Sequence, residues 1–281
     1  MTRLIWQIDL YRRPLRNSAG QDLWELLICD ADRALEWIAF CPQSEVSSDW
    51  LVAQIQQAIQ TQSQAPDVIW VFRPQTLSLV QTAGQALNLT VQPCRRTLAL
   101  KQWLQERRRV YPQMDSYTGE IFDPIALDSP PPVPLPENLW GDQWQFAALS
   151  AGELVEAFTD RPMPFLVMPE DLLPLNRGVA STAIIPGIII NGGRQSLRLA
   201  QWLQEVQPAA LNYIAGEPDG LILEAGLADR WVLVTFEDAE MAAAAQTYKQ
   251  RKSTVGGLHF LLVQPDDSGM TYSGFWLLNS L

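Results

Sequence analysis

The hydrophobic pattern predicts a two-domain chain, with an α/β unit first and an α+β unit second. Three observations carry this. The first half opens with three strand-period segments joined by short turns and then alternates helix-period with strand-period segments. A proline run, Asp128-Ser129-Pro130-Pro131-Pro132-Val133-Pro134-Leu135-Pro136, follows, with the composition of a semi-rigid linker. The second half mixes short strands with helices and finishes on two apolar runs separated by turn-formers. At 281 residues the chain exceeds one typical domain. The expected boundaries are 1–128 for the first domain, 129–136 for the linker and 137–281 for the second domain.

In order, Leu4–Tyr11, Leu23–Cys29 and Leu35–Cys41 read as an antiparallel meander, with turns at Asn17-Ser18-Ala19-Gly20 and Asp30-Ala31-Asp32. The period then lengthens. Ser47 or Ser48 caps a helix with Trp50, Leu51, Ile55, Ala58 and Ile59 at helical spacing. Val68–Phe72 is a buried strand stopped by Arg73-Pro74, and Thr76–Leu87 is a second amphipathic helix. Leu89–Val91 is another strand, and a third helix after Arg95-Arg96-Thr97 carries Leu98, Trp103 and Leu104. Strand-helix-strand-helix-strand of these lengths implies parallel pairing through right-handed crossovers. A three-strand meander followed by helix-strand-helix-strand-helix is the element order of ribonuclease H-like domains.

In the second half, strands are expected at Gln145–Leu149, Phe165–Met168, Ala183–Ile190, Leu221–Glu224 and Arg230–Phe236, and helices at Ala151–Phe158, Arg194–Val206 and Ala239–Arg251. Gly257–Val263 and Gly274–Leu278 then form a hairpin across Asp266-Asp267-Ser268-Gly269. Its last strand is either a core closure or a surface where Phe275 or Trp276 offers a ring to a base.

Composition removes several functions. No window reaches the roughly 18 apolar residues of a membrane span, and Met1–Trp6 resembles neither a signal peptide nor an organelle presequence. A cytoplasmic protein is expected. Cys29, Cys41 and Cys94 are odd in number and form no CxxC pair, which argues against disulfides and zinc. The single histidine, His259, lies inside a strand and reads as structural. The formal charge is −11, spread unevenly: residues 1–128 hold 12 Lys+Arg against 14 Asp+Glu, and the remainder 8 against 17. Since phosphate attraction favours basic surfaces, the first half is the better place for a nucleic-acid contact.

Few motifs carry chemistry. Asp9 lies where ribonuclease H-like nucleases keep a metal-binding carboxylate, but the fourth strand ends in Arg73 and the first helix offers only Asp49. Two-metal cleavage needs several converging carboxylates, so an inactive relative is the expectation, with no catalytic residue, metal or cofactor. Asn191-Gly192-Gly193-Arg194 reads as an ordinary strand-helix turn, lacking both GxGxxG and a P-loop lysine. Pro218-Asp219 with Glu224 lacks the lysine of a restriction-type site, since Gly226 stands there. Two basic clusters remain. Arg95-Arg96 lies at a strand end, and Arg107-Arg108-Arg109 ends the third helix just before Tyr111. They read either as complements to the helix dipole or as phosphate contacts, with Tyr111 or Trp103 nearby for stacking.

The series Arg13-Pro14, Leu23-Trp24-Glu25-Leu26-Leu27, Phe72-Arg73, Arg95-Arg96-Thr97, Val110-Tyr111-Pro112 and Pro134-Leu135-Pro136-Glu137-Asn138-Leu139 resembles the Tab/Atab family. Ile185-Pro186-Gly187, Leu223-Glu224-Ala225-Gly226 with Arg230-Trp231, Gly257-Leu258-His259-Phe260 and Gly274-Phe275-Trp276-Leu277-Leu278 extend the likeness from about residue 4 to residue 278. These are RNA-binding translation factors of algae and plants, located in the plastid stroma there, with shorter cyanobacterial relatives. The resemblance implies a non-catalytic factor that binds the 5′ untranslated region of the messenger for a photosystem I reaction-centre protein, with translation or photosystem assembly proteins as further partners. It also implies an RNA-binding role for the signature tripeptide, here Trp276-Leu277-Leu278. A protein-binding assembly scaffold, and a metal-dependent nuclease built on Asp9, are the alternatives. Adjacent strand residues face opposite sides, so Trp276 and Leu277 cannot both touch one ligand surface.

Overall fold

The computed structural model describes residues 3–127 and 130–280. The chain divides into two compact units, Met1–Asp128 and Ser129–Leu281.

In the first unit, β1 (Ile5–Arg16), β2 (Asp22–Asp30) and β3 (Glu36–Pro42) form the antiparallel meander, and β4 (Val68–Val71) and β5 (Val91–Pro93) join beyond β1 in parallel. The strand order is β3-β2-β1-β4-β5. Helix α1 (Ser48–Gln62) starts on Ser47, whose side chain accepts from the Trp50 N–H, and α2 (Pro74–Ala86) carries proline in its first turn. Both are favoured helix starts. The third helix, α3 (Leu98–Val110), follows β5. Period-two alternation sends Trp6, Ile8, Leu10, Leu26 and Ile28 to the face that α1 and α2 cover with Leu51, Ile55 and Val80. The opposite face presents Leu27 and Cys29 to Leu100, Trp103 and Leu104 of α3.

Strand β1 runs five residues past the expected end at Tyr11. Pro14 does not stop it, because the pairing with β2 shifts register between Arg12 and Arg16. Proline is tolerated at such a bulge. The extension carries Arg13 into the interior.

The second unit holds two sheets. Its elements are β6 (Val133–Pro134), β7 (Gln143–Ser150), α4 (Ala151–Phe158), β8 (Phe165–Val167), β9 (Ile184–Asn191), α5 (Ser196–Val206), β10 (Pro208–Ile214), β11 (Asp219–Ala225), β12 (Asp229–Phe236), α6 (Ala239–Thr254), β13 (Leu258–Gln264) and β14 (Gly274–Asn279). One sheet runs β7-β9-β13-β14-β8 and the other β10-β11-β12-β6. Ile188, Leu261, Val263, Trp276 and Leu278 of the first sheet share a core with Leu211, Leu221 and Leu223 of the second. The other face of the five-stranded sheet packs Phe260, Leu262, Phe275 and Leu277 against Leu154 and Phe158. Both faces of its strands β13 and β14 are therefore dry.

Two expectations change here. The proline-rich stretch expected as a linker over 129–136 contributes β6, which pairs in parallel with β12, and Leu135 is buried in the shared core. The prolines fit because β6 is an edge strand, where a missing N–H costs no ladder bond. Strand β10 was not anticipated, since it opens on Pro208-Ala209-Ala210, residues of low β propensity. As an edge strand it also has backbone groups that β11 leaves open. The Leu211 N–H donates to His259 Nε2 at 2.8 Å, and the Leu211 carbonyl accepts from Tyr248 Oη at 3.1 Å and Lys252 Nζ at 2.7 Å. His259 Nδ1 lies 2.7 Å from the Gly257 carbonyl, which sets the proton on Nδ1. Burial, with Lys252 nearby, pushes the His259 pKa down to about 3. The histidine is neutral and structural.

Candidate nucleic-acid interface

On the α3 face of the first unit, β1 and β2 place two carboxylates among arginines. Asp9 accepts from Arg13 Nη2 at 2.5 Å and from Arg73 Nε at 2.8 Å. Glu25 accepts from Arg13 Nε at 2.9 Å, from Tyr111 Oη at 2.5 Å and from Arg107 through Nε at 2.9 Å and through Nη2. Asp9, Arg13, Glu25 and Arg73 are all buried. Arg73 also donates to the Pro124 and Ala126 carbonyls and lies 4.0 Å from the Tyr11 ring centroid. Burial opposes ionisation of Asp9, but the charges of Arg73 and Arg13 outweigh it and hold its pKa below the ordinary value. Two carboxylates and three guanidinium groups leave the network one positive charge in excess.

This geometry bears on the nuclease alternative in chemical terms. Both Asp9 oxygens are occupied by guanidinium donors, and a divalent ion there would have to displace them beside two buried cations. Arg73 fills the strand-end position where a metal site needs an acid.

The network also sorts the basic clusters. Arg107 turns inward to Glu25 and Tyr111 is buried with its ring near the Arg107 guanidinium, so neither serves as an RNA contact in this arrangement. The reason is helical phase: Arg107 lies one turn beyond Trp103 and Leu104, on the stripe that faces the sheet. Arg96, Arg108 and Arg109 are exposed and Arg95 is half-buried. The two clusters are not brought together. One precedes α3 and the other lies in its last turn, at opposite ends of a 13-residue helix about 20 Å long. Lys101, not singled out by sequence, lies between them, with Nζ donating to the Arg95 carbonyl at 2.7 Å and its pKa pushed to about 8 by burial.

The signature tripeptide lies in the second unit and is core. Trp276 and Leu277 are each 1% exposed and Leu278 3%. Trp276 and Leu278 enter the core shared by the two sheets, while Leu277 enters the other. A Cβ on Gly274 would stand 2.4 Å from the Trp276 ring, so the missing side chain is what lets the indole lie flat there. Phe275 is equally buried, stacked 4.1 Å from Phe158. None of these rings offers a face to a base, which corrects the contact role expected for Trp276, Leu277 and Leu278.

Residues 5–107 match the N-terminal domain of RNA-binding protein Tab2/Atab2, and residues 122–279 match its C-terminal domain. The chain belongs to the Tab2/Atab2 family of RNA-binding proteins. It is similar to the chloroplastic Protein TAB2 homolog of Arabidopsis thaliana, with 32% identity over 98% of this chain and 74% of that protein. The Zea mays homolog is 31% identical over 98% of this chain and 71% of its own length. Among solved structures, the magnesium-bound HTLV-2 integrase catalytic core (dimeric form) matches with TM-score 0.27 and 16% identity, covering 39% of this chain and 74% of that one. A likeness that small assigns neither fold nor chemistry, and the ribonuclease H-like reading of the first unit rests on its element and strand order alone.

Within this Tab2/Atab2 member, sequence reasoning missed the partnership of Arg13, Glu25 and Arg73. The available signal was Arg73 standing in place of an acid opposite Asp9. Among the described residues no helix is long and apolar enough to cross a membrane.

Proposed function

We propose that this Tab2/Atab2 member is a non-catalytic RNA-binding factor that assists synthesis of photosystem proteins by binding the 5′ untranslated region of a target messenger. The observation that carries this reading is the family match across both compact units. Supporting it, exposed cations stand at both ends of a helix whose inner side is locked by the buried network, Arg96 with half-buried Arg95 just before α3 and Arg108 and Arg109 in its last turn. In this reading those four residues hold phosphates. Trp276, Leu277 and Leu278 act indirectly, by holding the second unit together. The site of action is the cytoplasm of a cyanobacterium-like cell, matching the plastid stroma for the chloroplastic relatives. Translation or photosystem assembly proteins are its further partners.

The test is crosslinking of the full chain to RNA in photosynthetic cells, followed by sequencing of the bound fragments. Enrichment of 5′ untranslated regions of photosystem messengers over a neutral control protein supports the proposal, and its absence overturns it. The acidic second half, with 8 Lys+Arg against 17 Asp+Glu, favours a second reading as a protein-binding assembly scaffold. Partners that co-purify unchanged after nuclease treatment would support that one.

A further inference from the structure

The second unit contains a cleft of about 570 Å³ between the 177–184 segment and the C-terminal end of α6. Arg177 closes a short helical turn over Leu175–Arg177, and Gly178 follows in the left-handed region with φ +68°. Arg251 stands on the last turn of α6. Val179, Ala180, Ile184 and Val255 supply an apolar floor, with Ile184 exposed.

Three features distinguish this cleft from ordinary surface. Its volume lies in the range of ligand-binding pockets, roughly 300–1,000 Å³. No lining residue is acidic, although residues 129–281 hold 17 Asp+Glu against 8 Lys+Arg. Among the described residues, neither guanidinium forms an ion pair or a side-chain hydrogen bond. Arg251 also complements the dipole of α6, but that accounts for neither Arg177 nor the apolar floor between them. Arginine forks match phosphate oxygens in bidentate geometry. A floor of small aliphatic side chains suits the flat apolar face of a base or the carbon edge of a ribose. An acidic peptide would satisfy the charges and leave the floor uncovered.

We infer that this cleft is a second RNA contact, in which Arg177 and Arg251 hold phosphates of a single-stranded segment while one nucleotide rests on the floor formed by Val179, Ala180, Ile184 and Val255. The inference rests on the RNA-binding reading above and adds a site in the unit whose net charge opposes RNA. It gives the acidic second half a local point of attachment. Because the contact is a pair of cations over an apolar surface, it discriminates single strands from duplex by access and not by base edge.

The experiment measures binding of a fluorescent 20-nucleotide single-stranded RNA pool to the full chain across a salt series. It uses wild type, Arg177→Gln/Arg251→Gln and Arg194→Gln/Arg198→Gln. The last pair removes equal charge from exposed positions of the same unit outside the cleft. The cleft variant is expected to bind about tenfold more weakly at low salt. Its log K against log salt slope should flatten by about 1.4, or roughly 0.7 per lost phosphate contact. The control pair should keep most of the wild-type slope. If the cleft variant matches wild type while wild type binds well, the cleft assignment is overturned and the family reading stands. Equal losses in both variants also overturn it, because the effect is then general charge. If wild type does not bind the pool, both readings fail together. Displacement of bound RNA by polyglutamate in wild type, but not in the cleft variant, would reassign the cleft to acidic peptides.

Discussion

The two units bury polar groups by opposite means. The first encloses ions: Asp9 and Glu25 against Arg13, Arg73 and Arg107. The second surrounds the Leu211 peptide mainly with side-chain hydrogen bonds, with His259 accepting and Tyr248 and Lys252 donating. An ion network is costly to break in part, since removing one member strands its partner's charge. A hydrogen-bonded cluster fails more gently, but here it contains a base that acid can charge. The lesson concerns function as well. In the first unit buried arginines take up the Asp9 and Glu25 carboxylates that could bind metal, while Arg108 and Arg109 stand outward at the end of α3.

The largest effect should come from breaking the ion network. Asp9→Ala leaves Arg13 and Arg73 buried without their shared carboxylate and should cost about 3–5 kcal/mol of stability in urea melts. A loss below about 1 kcal/mol would mean the network is wetter than described. Trp276→Ala should cost a comparable amount, about 3–5 kcal/mol, by opening a cavity in the core shared by the two sheets. If that variant stays as stable as wild type yet loses RNA binding, the tripeptide is a contact after all and the burial argument fails.

Acid should separate the units. The folded His259 pKa of about 3 lies below its ordinary 6.5, so the unfolded chain binds the extra proton. Stability is therefore lost as pH falls from 6.5 towards 3. Asp9, with its pKa lowered from the ordinary 3.8, contributes stability that is lost only as pH falls below that value towards its folded pKa. Because His259 is the single histidine, going from pH 7 to pH 5 should cost about 2 kcal/mol through this group. That loss should vanish in His259→Gln, and its survival there would assign it to carboxylates. The smallest effect on stability belongs to Arg108→Gln/Arg109→Gln. This variant should leave the melting temperature unchanged while flattening the salt slope of RNA binding, as measured by fluorescence anisotropy. A drop in melting temperature would make these arginines structural.

Most elements were legible because period-two and helical spacing survive in a single sequence, as in α4, expected and found at Ala151–Phe158. The meander, the crossover helices and the closing hairpin followed from the same signal. Strand β10 escaped because its opening residues have weak strand preference and its edge is satisfied by side chains from α6 and β13, far away in sequence. The burial of Val133–Leu135 escaped because composition reports stiffness and not what a stiff segment lies against. For the candidate site, alternation showed that Trp276 and Leu277 point to opposite faces. It could not show that both faces are dry, since that depends on α4 on one side and the four-stranded sheet on the other. Arg107 was indistinguishable from Arg108 by type, and only the position of α3 on the sheet separates them.

The strand orders have a consequence for the growing polypeptide. In the first unit the central strand, β1, is synthesised first, and β2, β3, β4 and β5 can add to it as they emerge. In the second, β13 and β14 sit inside the five-stranded sheet but come last among its strands. Strand β9 waits for roughly 70 residues of further translation before its partner β13 is complete, on the order of 4–15 s at ordinary elongation speeds. During that interval the apolar run Ile184–Ile190 has no β13 to pair with. A ribosome carrying this nascent chain therefore presents a completed first unit beside an unfinished sheet, the kind of surface that holdase chaperones cover.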